Sequence, residues 1–280
     1  MLRLSAAAAA ASILVALAAC ERSEADPPAP PPDLPYVWSD GFEAPNATVD
    51  DLLARDGSRW TNVQLVHPSG GTNVLEPQRD RVREGEAALR IVAQPADDIL
   101  SKAGIEKGGF FAPEGASVTL AADVYLAGAP DLRELFLIDL ECCSCWDPDV
   151  PDNQCPGIRL KLAGDGPYLA VERGKILGST LRQDDTPFPT DRWVRITWEL
   201  DLSTEDAGAT RVLLDGVPVL ERSGYNLPVA DALRAAFAAE GIDFELTQPV
   251  GYERFQIGAT ANPTSSTVEL YVDDVEVRVE

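Results

Sequence analysis

Two acidic side chains separated by one residue, Asp139 and Glu141, lie in an apolar stretch near the middle of the chain. Side chains of an extended strand alternate between its two faces. Leu137, Asp139 and Glu141 therefore share one face, and the intervening apolar residues take the other. Two neighbouring carboxylates are the groups that glycoside hydrolysis uses as acid and as nucleophile or base. The spacing predicts an acidic sheet face suited to sugar chemistry.

Basic residues follow at the same spacing. Arg159 and Lys161 share a face of one predicted strand, and Tyr168 and Glu172 share a face of the next. Elimination from a uronate needs a base, usually tyrosine or histidine, and a cation or amide that neutralises the carboxylate. One hypothesis is therefore Tyr168 as base, with Arg159 and Lys161 as the neutralising cations. The alternative is that both cations are ordinary exposed residues of a half-buried strand.

Sugar binding without catalysis needs less, namely a stacking aromatic ring beside polar groups. Trp146, beside a cysteine cluster, is the aromatic side chain that we assign to this role. Trp38, Trp60 and Trp198 are assigned to the core instead. The polar groups would line a concave sheet face next to Trp146: Asp139, Glu141, Arg159, Lys161 and Tyr168.

Strand patterns dominate the chain from residue 36 onward. Alternation and apolar runs predict strands at 87–93, 117–126, 134–141, 157–162, 168–173, 192–202, 256–259 and 267–279. Asp215-Gly216 predicts a hairpin within 211–220, and Pro218 places its second strand at a sheet edge or a bulge. One helix is predicted over 229–240, ended by Gly241. The pattern indicates an all-β fold, a two-sheet antiparallel β-sandwich or jelly roll with one short helix.

The last predicted strand changes phase in its middle. Apolar residues alternate in one phase up to Val272 and in the other from Val275. A β-bulge at Asp273-Asp274 would keep both halves packed and would redirect one aspartate.

Four segments carry a recognisable pattern: Asp40-Gly41-Phe42-Glu43 followed by Trp60; Arg-Glu-Gly-Glu-Ala-Ala-Leu-Arg-Ile at 83–91; the two tryptophans of 191–198 with Asp-Gly in 212–219; and Leu-Tyr-Val-Asp-Asp-Val-Glu-Val at 270–277. These segments resemble strands of the concanavalin A-like lectin/glucanase superfamily, which includes laminin-G-like domains and heparin-lyase-like polysaccharide lyases. The resemblance spans nearly all of 36–280 and implies a concanavalin A-like jelly roll. Its motifs are fold motifs rather than catalytic ones.

The resemblance also suggests roles for particular residues. A glucanase of this superfamily carries Glu-x-Asp-x-Glu where this chain has Leu137, Asp139 and Glu141, so the nucleophile position is leucine and hydrolysis by that route is in doubt. The Gln-Ile-His and Tyr-x-Lys-Ala-Gly blocks of alginate lyases are absent. An enzyme of this type would more readily be a polysaccharide lyase than a hydrolase.

A structural calcium ion ties the first strand to the last in carbohydrate-binding members of the superfamily. The resemblance implies Glu43, Asp273 and Asp274 as its ligands here, with Asp40 as a further candidate. Calcium takes six to eight oxygen ligands, more than these side chains supply. The alternative is a bulge whose acids are solvated.

The N-terminus predicts export. Arg3 precedes an apolar run, residues 6–17, that is too short to span a bilayer and fits a signal peptide over 1–19. Leu17-Ala18-Ala19-Cys20 resembles the lipobox of bacterial lipoproteins, which implies a lipid on Cys20. A proline-rich stretch completes a tether over 20–35, extended at about 3 Å per residue, before the domain at 36–280. Glu21 in place of aspartate favours the outer membrane.

Cysteines are clustered: Cys142, Cys143, Cys145 and Cys155. In an oxidising compartment four such residues indicate two disulfides. A bond between the neighbours Cys142 and Cys143 would be strained, so each is predicted to pair with Cys145 or Cys155, in either order. The alternative, a zinc site, would need four reduced thiolates, because His67 is the only histidine.

A net charge of −23 disfavours nucleic acid, anionic lipid surfaces and strongly polyanionic glycans as partners. The leading expectation is a lipid-anchored protein of the cell envelope whose jelly roll, outside the cytoplasm, binds a polysaccharide in a concave groove. The alternatives are a lyase that cleaves a uronate-containing glycan by β-elimination and an adhesion module that binds a protein. Membrane contact is expected only through the lipid, and calcium is the only cofactor expected.

Overall fold

The computed structural model describes residues 34–43, 48–54, 56–67, 70–96, 101–128, 130–146, 155–164, 167–182, 186–262 and 266–280. The signal peptide, Cys20 and nearly all of the tether lie outside these residues, so their assignments stay predictions. No helix among the described residues is long and apolar enough to cross a membrane.

The described residues contain fifteen strands, one α-helix and two short 3-10 helices. The strands are β1 (Tyr36–Asp40), β2 (Asn62–Val66), β3 (Val74–Gln78), β4 (Ala88–Ala93), β5 (Lys102–Pro113), β6 (Ser117–Leu126), β7 (Glu134–Glu141), β8 (Gly157–Ala163), β9 (Tyr168–Glu172), β10 (Leu181–Arg182), β11 (Trp193–Asp201), β12 (Ala209–Leu214), β13 (Val217–Ser223), β14 (Gly251–Ala261) and β15 (Val268–Val279). The helices are α1 (Ala230–Ala239) and the 3-10 turns Val49–Leu52 and Gly174–Ile176.

The strands form two antiparallel sheets. The eight-stranded sheet has the order β13-β12-β11-β6-β15-β4-β3, with β1 also paired to β15. The seven-stranded sheet has the order β10-β9-β8-β7-β14-β5-β2. This arrangement confirms the predicted jelly-roll β-sandwich with one helix.

Apolar side chains from both sheets form the core. In β11 every second residue, from Val194 to Leu200, is buried, as alternation in a half-buried strand requires. Trp60 and Trp198 are fully buried, as predicted, and Trp60 stacks on Phe42 at 5.4 Å between ring centroids. The half-buried Trp38 packs against this core and meets Trp60 edge to face.

Two local predictions are confirmed. The register between β15 and β6 shifts between Asp273 and Glu276, and Asp274 has a φ of 44°, so the bulge lies where the change of phase placed it. The β12–β13 hairpin turns at Asp215-Gly216, both with positive φ, and Pro218 lies in the edge strand β13.

The strict alternation predicted for β7 is wrong. The register between β7 and β8 shifts between Phe136 and Ile138, so the strand carries a second bulge. Leu137 and Ile138 both belong to the core cluster, whereas Phe136 does not. Leu137 therefore does not share a face with Asp139 and Glu141, and the comparison of Leu137 with a catalytic nucleophile loses its geometric basis.

Candidate functional site

Five of the six side chains predicted to bind a sugar lie on one face of the seven-stranded sheet, which we call the polar face. Asp139 pairs in register with Arg159, and Arg159 with Glu172. Lys161 and Tyr168 follow at even spacing on the neighbouring strands β8 and β9, so their side chains take the same side. The polar face is thus built across β7, β8 and β9.

Glu141 is the most heavily bonded acid of the polar face. One carboxylate oxygen accepts a hydrogen bond from Lys175 Nζ. The other accepts from Arg254 Nη2 at 2.7 Å and from Gln256 Nε2 at 3.0 Å. Burial by itself would raise the pKa of Glu141, but the charges of Lys175 and Arg254 overcome it, and the pKa falls to about 2. Glu141 is therefore a fixed anion at neutral pH.

Asp139 lies two residues away, and its pKa is shifted in the opposite direction. It is buried, and its Oδ1 accepts a hydrogen bond from Thr260 Oγ1 at 2.9 Å. Burial raises its pKa, the charge of Lys175 opposes this, and the charge of Glu141 adds to it. Opposite pKa shifts in adjacent acids are typical of functional sites.

Glu106 extends the polar face to β5. Its carboxylate lies 3.4 Å from Arg254 Nη1 and accepts a hydrogen bond from Gln64, which also bonds Lys102. Burial raises the pKa of Glu106, and the charge of Arg254 partly opposes that. Because Arg254 contacts both Glu106 and Glu141, one guanidinium links two acids of different strands.

The cations of β8 are also paired. Arg159 Nη2 lies 2.7 Å from Glu172 Oε2, and its guanidinium lies 3.9 Å from the ring centroid of Phe136. Lys161 pairs with Glu134. The alternative that these are ordinary exposed residues is wrong for both, since their side chains are only 12% and 10% exposed.

Tyr168 lies half-buried at the start of β9, toward the β10 edge of the sheet. The guanidinium of Arg182 stacks on its ring, 4.5 Å from the centroid. Tyr168 and Arg182 therefore form a cation–π pair at that edge, and both side chains remain partly open to solvent.

The assignment of Trp146 to the sugar site is wrong. Its ring is buried and packs against Phe237 and Phe244, at 5.5 and 5.0 Å between centroids. Trp146 thus anchors α1 and the following loop to the core and has no free ring face for a sugar.

The cysteines form two disulfides, Cys142–Cys145 and Cys143–Cys155. This pairing agrees with the predicted exclusion of a Cys142–Cys143 bond and leaves no thiolate for the alternative zinc site. The second disulfide joins the end of β7 to the start of β8, with its sulfurs near the Glu141 carboxylate. It therefore fixes the chain next to the most heavily bonded acid of the polar face.

Two of the three predicted calcium ligands, Asp273 and Glu43, instead accept hydrogen bonds from backbone N–H groups of one loop, residues 83–87. Asp273 Oδ2 accepts from the N–H of Arg83 at 2.8 Å, and Glu43 Oε1 accepts from that of Glu86 at 2.8 Å. Burial raises the pKa of Asp273 to about 6. In the described part of the chain these acids, with Asp274, do not bring three ligand oxygens within 4.8 Å of one another. The side chains do not fit a calcium site in this arrangement, and calcium stays a prediction.

Two cavities lie away from the polar face. One, of about 690 Å³, lies on the eight-stranded sheet, with Thr119, Glu199 and Arg211 in its lining. The other, of about 390 Å³, lies beside the start of α1. The polar side chains predicted to line a groove on the seven-stranded sheet lie together, but the concave groove itself stays a prediction.

Sequence reasoning missed the three side chains that hold Glu141: Lys175, Arg254 and Gln256. One signal was available, because the chain has only four lysines and all lie in β5, β8 or the 3-10 turn Gly174–Ile176. In a protein of net charge −23, such scarce lysines are candidates for specific pairing with acids.

Comparisons with known proteins agree with the fold. No family model and no curated protein matches the chain. Among solved structures, an endo-β-1,4-glucuronan lyase from the fungus Trichoderma reesei has a TM-score of 0.54 at 12% identity, covering 78% of this chain and 90% of that one. The cellulose-induced protein Cip1 has a TM-score of 0.53 at 13% identity, covering 85% and 95%. Alginate lyase Aly36B has a TM-score of 0.52 at 8% identity, covering 88% and 98%.

At these identities the similarity shows the fold alone. The protein shares a jelly-roll β-sandwich with these solved structures, and the resemblance seen in its sequence is confirmed at the level of the fold.

Proposed function

We propose that the domain binds a polysaccharide on the polar face of the seven-stranded sheet. The observation that carries the proposal is the network around Glu141, in which Lys175, Arg254 and Gln256 converge on one buried carboxylate. Burying charged groups costs several kcal/mol per ion before pairing offsets it. A stabilising core does not need such a network, and its carboxylate, guanidinium, ammonium and amide groups are of the kind that bind hydroxyl groups.

The chemistry of the face suits sugars. Carboxylates accept hydrogen bonds, and guanidinium, ammonium and amide groups donate them. Tyr168, with its partly open ring at the sheet edge, adds an apolar surface on which a pyranose can stack. The names of the structural neighbours support the same class of ligand, because two of them are lyases of glucuronan and alginate.

The polysaccharide lyase is the second candidate, favoured by the shared face of Tyr168, Arg159 and Lys161. In that reaction Tyr168 would take the proton from C5 of a uronate while a cation neutralises its carboxylate. The electron pair would then form the C4–C5 double bond, and the glycosidic oxygen would leave from C4 with the proton that Tyr168 had taken. The unsaturated product absorbs ultraviolet light.

We further propose that the domain is displayed in the cell envelope, outside the cytoplasm, through a lipid on Cys20 and the tether over 20–35. Two acyl chains anchor a protein stably, since each buried CH₂ contributes about 0.8 kcal/mol. Glu21 supports outer-membrane placement, because it stands where aspartate would favour retention in the inner membrane. Incorporation of labelled fatty acid that is lost on Cys20→Ala substitution would be the expected result.

The binding proposal is tested by affinity electrophoresis in gels that contain neutral or uronic-acid polysaccharides, with ultraviolet absorbance and reducing ends followed in parallel. We expect retardation by at least one glycan. Tyr168→Ala and Arg159→Ala should each weaken the affinity for that glycan about tenfold or more, the equivalent of about 1.4 kcal/mol. Arg211→Ala, on the other sheet and also paired with acids, is the matched control.

New absorbance with a uronate glycan would establish the lyase instead. No retardation and no product with any glycan would contradict both candidates and would favour the protein-binding adhesion module.

A further inference from the structure

We infer that the ligand of the polar face is a neutral polysaccharide rather than a uronate polymer. This inference rests on the proposed function and concerns the same site. It follows from the state of the cations, which a carboxylate-bearing sugar would need.

The four best-buried cations of the face are already matched to acids of the protein. Arg159 pairs with Glu172 at 2.7 Å, and Lys161 pairs with Glu134. The remaining pairs converge on one acid: Lys175 and Arg254 both bind Glu141, with Arg254 also 3.4 Å from Glu106.

These pairs are costly to open. Their side chains are mostly 6–17% exposed, apart from Glu134. Removing one partner of such a pair leaves a buried charge uncompensated, which is strongly destabilising. A uronate carboxylate that paired with Arg159 would displace Glu172. The Glu172 carboxylate would then be the buried charge without a partner. The exchange replaces one anion by another and gives no net electrostatic gain.

Only the margin of the face offers cations without a carboxylate partner. Within the described residues, Lys102 and Arg182 make no ion pair within 4.0 Å; Lys102 bonds the amide of Gln64, and Arg182 stacks on Tyr168. They belong to β5 and β10, with four strands between those two. They therefore cannot form one carboxylate clamp. The net charge of −23 adds a general repulsion of polyanions.

Hydroxyl groups make the opposite demand. Each sugar hydroxyl donates one hydrogen bond and accepts others, so it can join an existing ion pair without separating the two charges. Carboxylate oxygens with spare lone pairs and guanidinium N–H groups with spare hydrogens supply both halves. The Arg159–Glu172 and Arg254–Glu106 pairs present such combinations on neighbouring strands. A neutral glycan can therefore bind to the face as it stands.

The experiment uses matched ligands that differ only at C6. β-1,4-Glucan oligosaccharides are compared with β-1,4-glucuronan oligosaccharides of equal length, and β-1,4-mannan with β-1,4-mannuronan, by calorimetric titration at low and high salt. The neutral member of at least one pair should bind at least tenfold more tightly, with little dependence on salt.

Glu172→Gln sharpens the test, because it releases Arg159 while keeping its volume and its acceptor oxygen. We expect this variant to gain affinity for the oxidised member by about tenfold and to make that affinity salt-dependent. Glu199→Gln, which releases Arg211 on the other sheet, should change neither affinity.

Tighter binding of the oxidised member by the unsubstituted protein would overturn the inference and leave the proposed function standing. A gain on Glu172→Gln that equals the gain on Glu199→Gln would also overturn it. Binding of neither member of either pair, together with the absence of retardation in every polysaccharide gel, would overturn the proposed function itself.

Discussion

The two outward surfaces of the sandwich handle charge differently. On the eight-stranded sheet, the outward surface carries exposed ion pairs, such as Arg211 with Glu199, whose side chains are each 41% exposed. It also carries a cross-strand row of aromatic rings, Trp193, Tyr125 and Tyr271, in register on β11, β6 and β15. On the seven-stranded sheet the charges are buried, and two adjacent acids have pKa values shifted in opposite directions.

The difference distinguishes exposed charges, which keep the protein soluble, from buried charges, whose specific arrangement suggests a function. Exposed ion pairs contribute about 0–1 kcal/mol and tolerate replacement, so a pair such as Arg211 with Glu199 needs no ligand to explain it. Buried charges persist only where each is compensated, and their arrangement is specific. The polar face is therefore the side of the molecule on which a chemical task is to be expected.

The largest difference between the two surfaces should appear in stability. Glu141→Gln leaves Lys175 and Arg254 without their anion, so the free energy of unfolding should fall by about 3–5 kcal/mol. Glu199→Gln should cost less than about 1 kcal/mol. Urea unfolding measures both, and equal small losses would remove the distinction between the surfaces.

The same variant gives a pH test. The pKa of Glu141 is lowered from its usual 4.5 to about 2 in the folded protein. Its stabilising effect is therefore complete above about pH 4.5 and is lost as the pH falls through 2. The difference in stability between the unsubstituted protein and Glu141→Gln should shrink over that interval, and a difference that stays the same from about pH 5 to about pH 2 would contradict this assignment.

Trp146→Ala sharpens the comparison from inside the core. Removing a ring that packs on Phe237 and Phe244 should cost about 3–5 kcal/mol, and glycan affinity of the folded fraction should not change. Trp193→Ala, on the outward surface of the other sheet, should cost less. A loss of glycan affinity in Trp146→Ala at full stability would return Trp146 to the binding site.

Asp139→Asn should have the smallest effect. The charged form of Asp139 is disfavoured by burial, and the substitution keeps the oxygen that accepts from Thr260. Removing a disfavoured charge offsets the loss of the carboxylate, so stability at pH 7 should change by less than about 1 kcal/mol. A cost as large as that of Glu141→Gln would show that the two acids are not electrostatically distinct.

Much of the fold could be predicted from the sequence because most strands are buried on one side. The bounds of β6 and β7 match the predicted ranges. The bulge at Asp273-Asp274 was predicted from the change of phase in the alternation of apolar residues. The strand β5 was missed because it is buried on both faces and contains several glycines. One of them is closely packed, since a Cβ on Gly104 would lie 3.2 Å from the carbonyl oxygen of Ile257.

The site could be predicted only where its residues lie on recognisable strands. Asp139, Glu141, Arg159 and Lys161 were brought together by alternation, as predicted. The partners that give them their properties come from elsewhere: Lys175 from a 3-10 turn and Arg254 from the part of β14 outside its predicted range. No local sequence pattern indicates that Lys175 and Arg254 both contact Glu141, because only the tertiary fold brings their segments together.

The central claim is that the polar face is the binding surface, and hydrogen–deuterium exchange tests it without any substitution. The protein is compared with and without a saturating concentration of the neutral oligosaccharide that binds most tightly. The account predicts slower exchange confined to β5, β7, β8, β9 and β14. Slower exchange in β6, β11 and β12 instead would place the ligand on the opposite sheet and contradict the account.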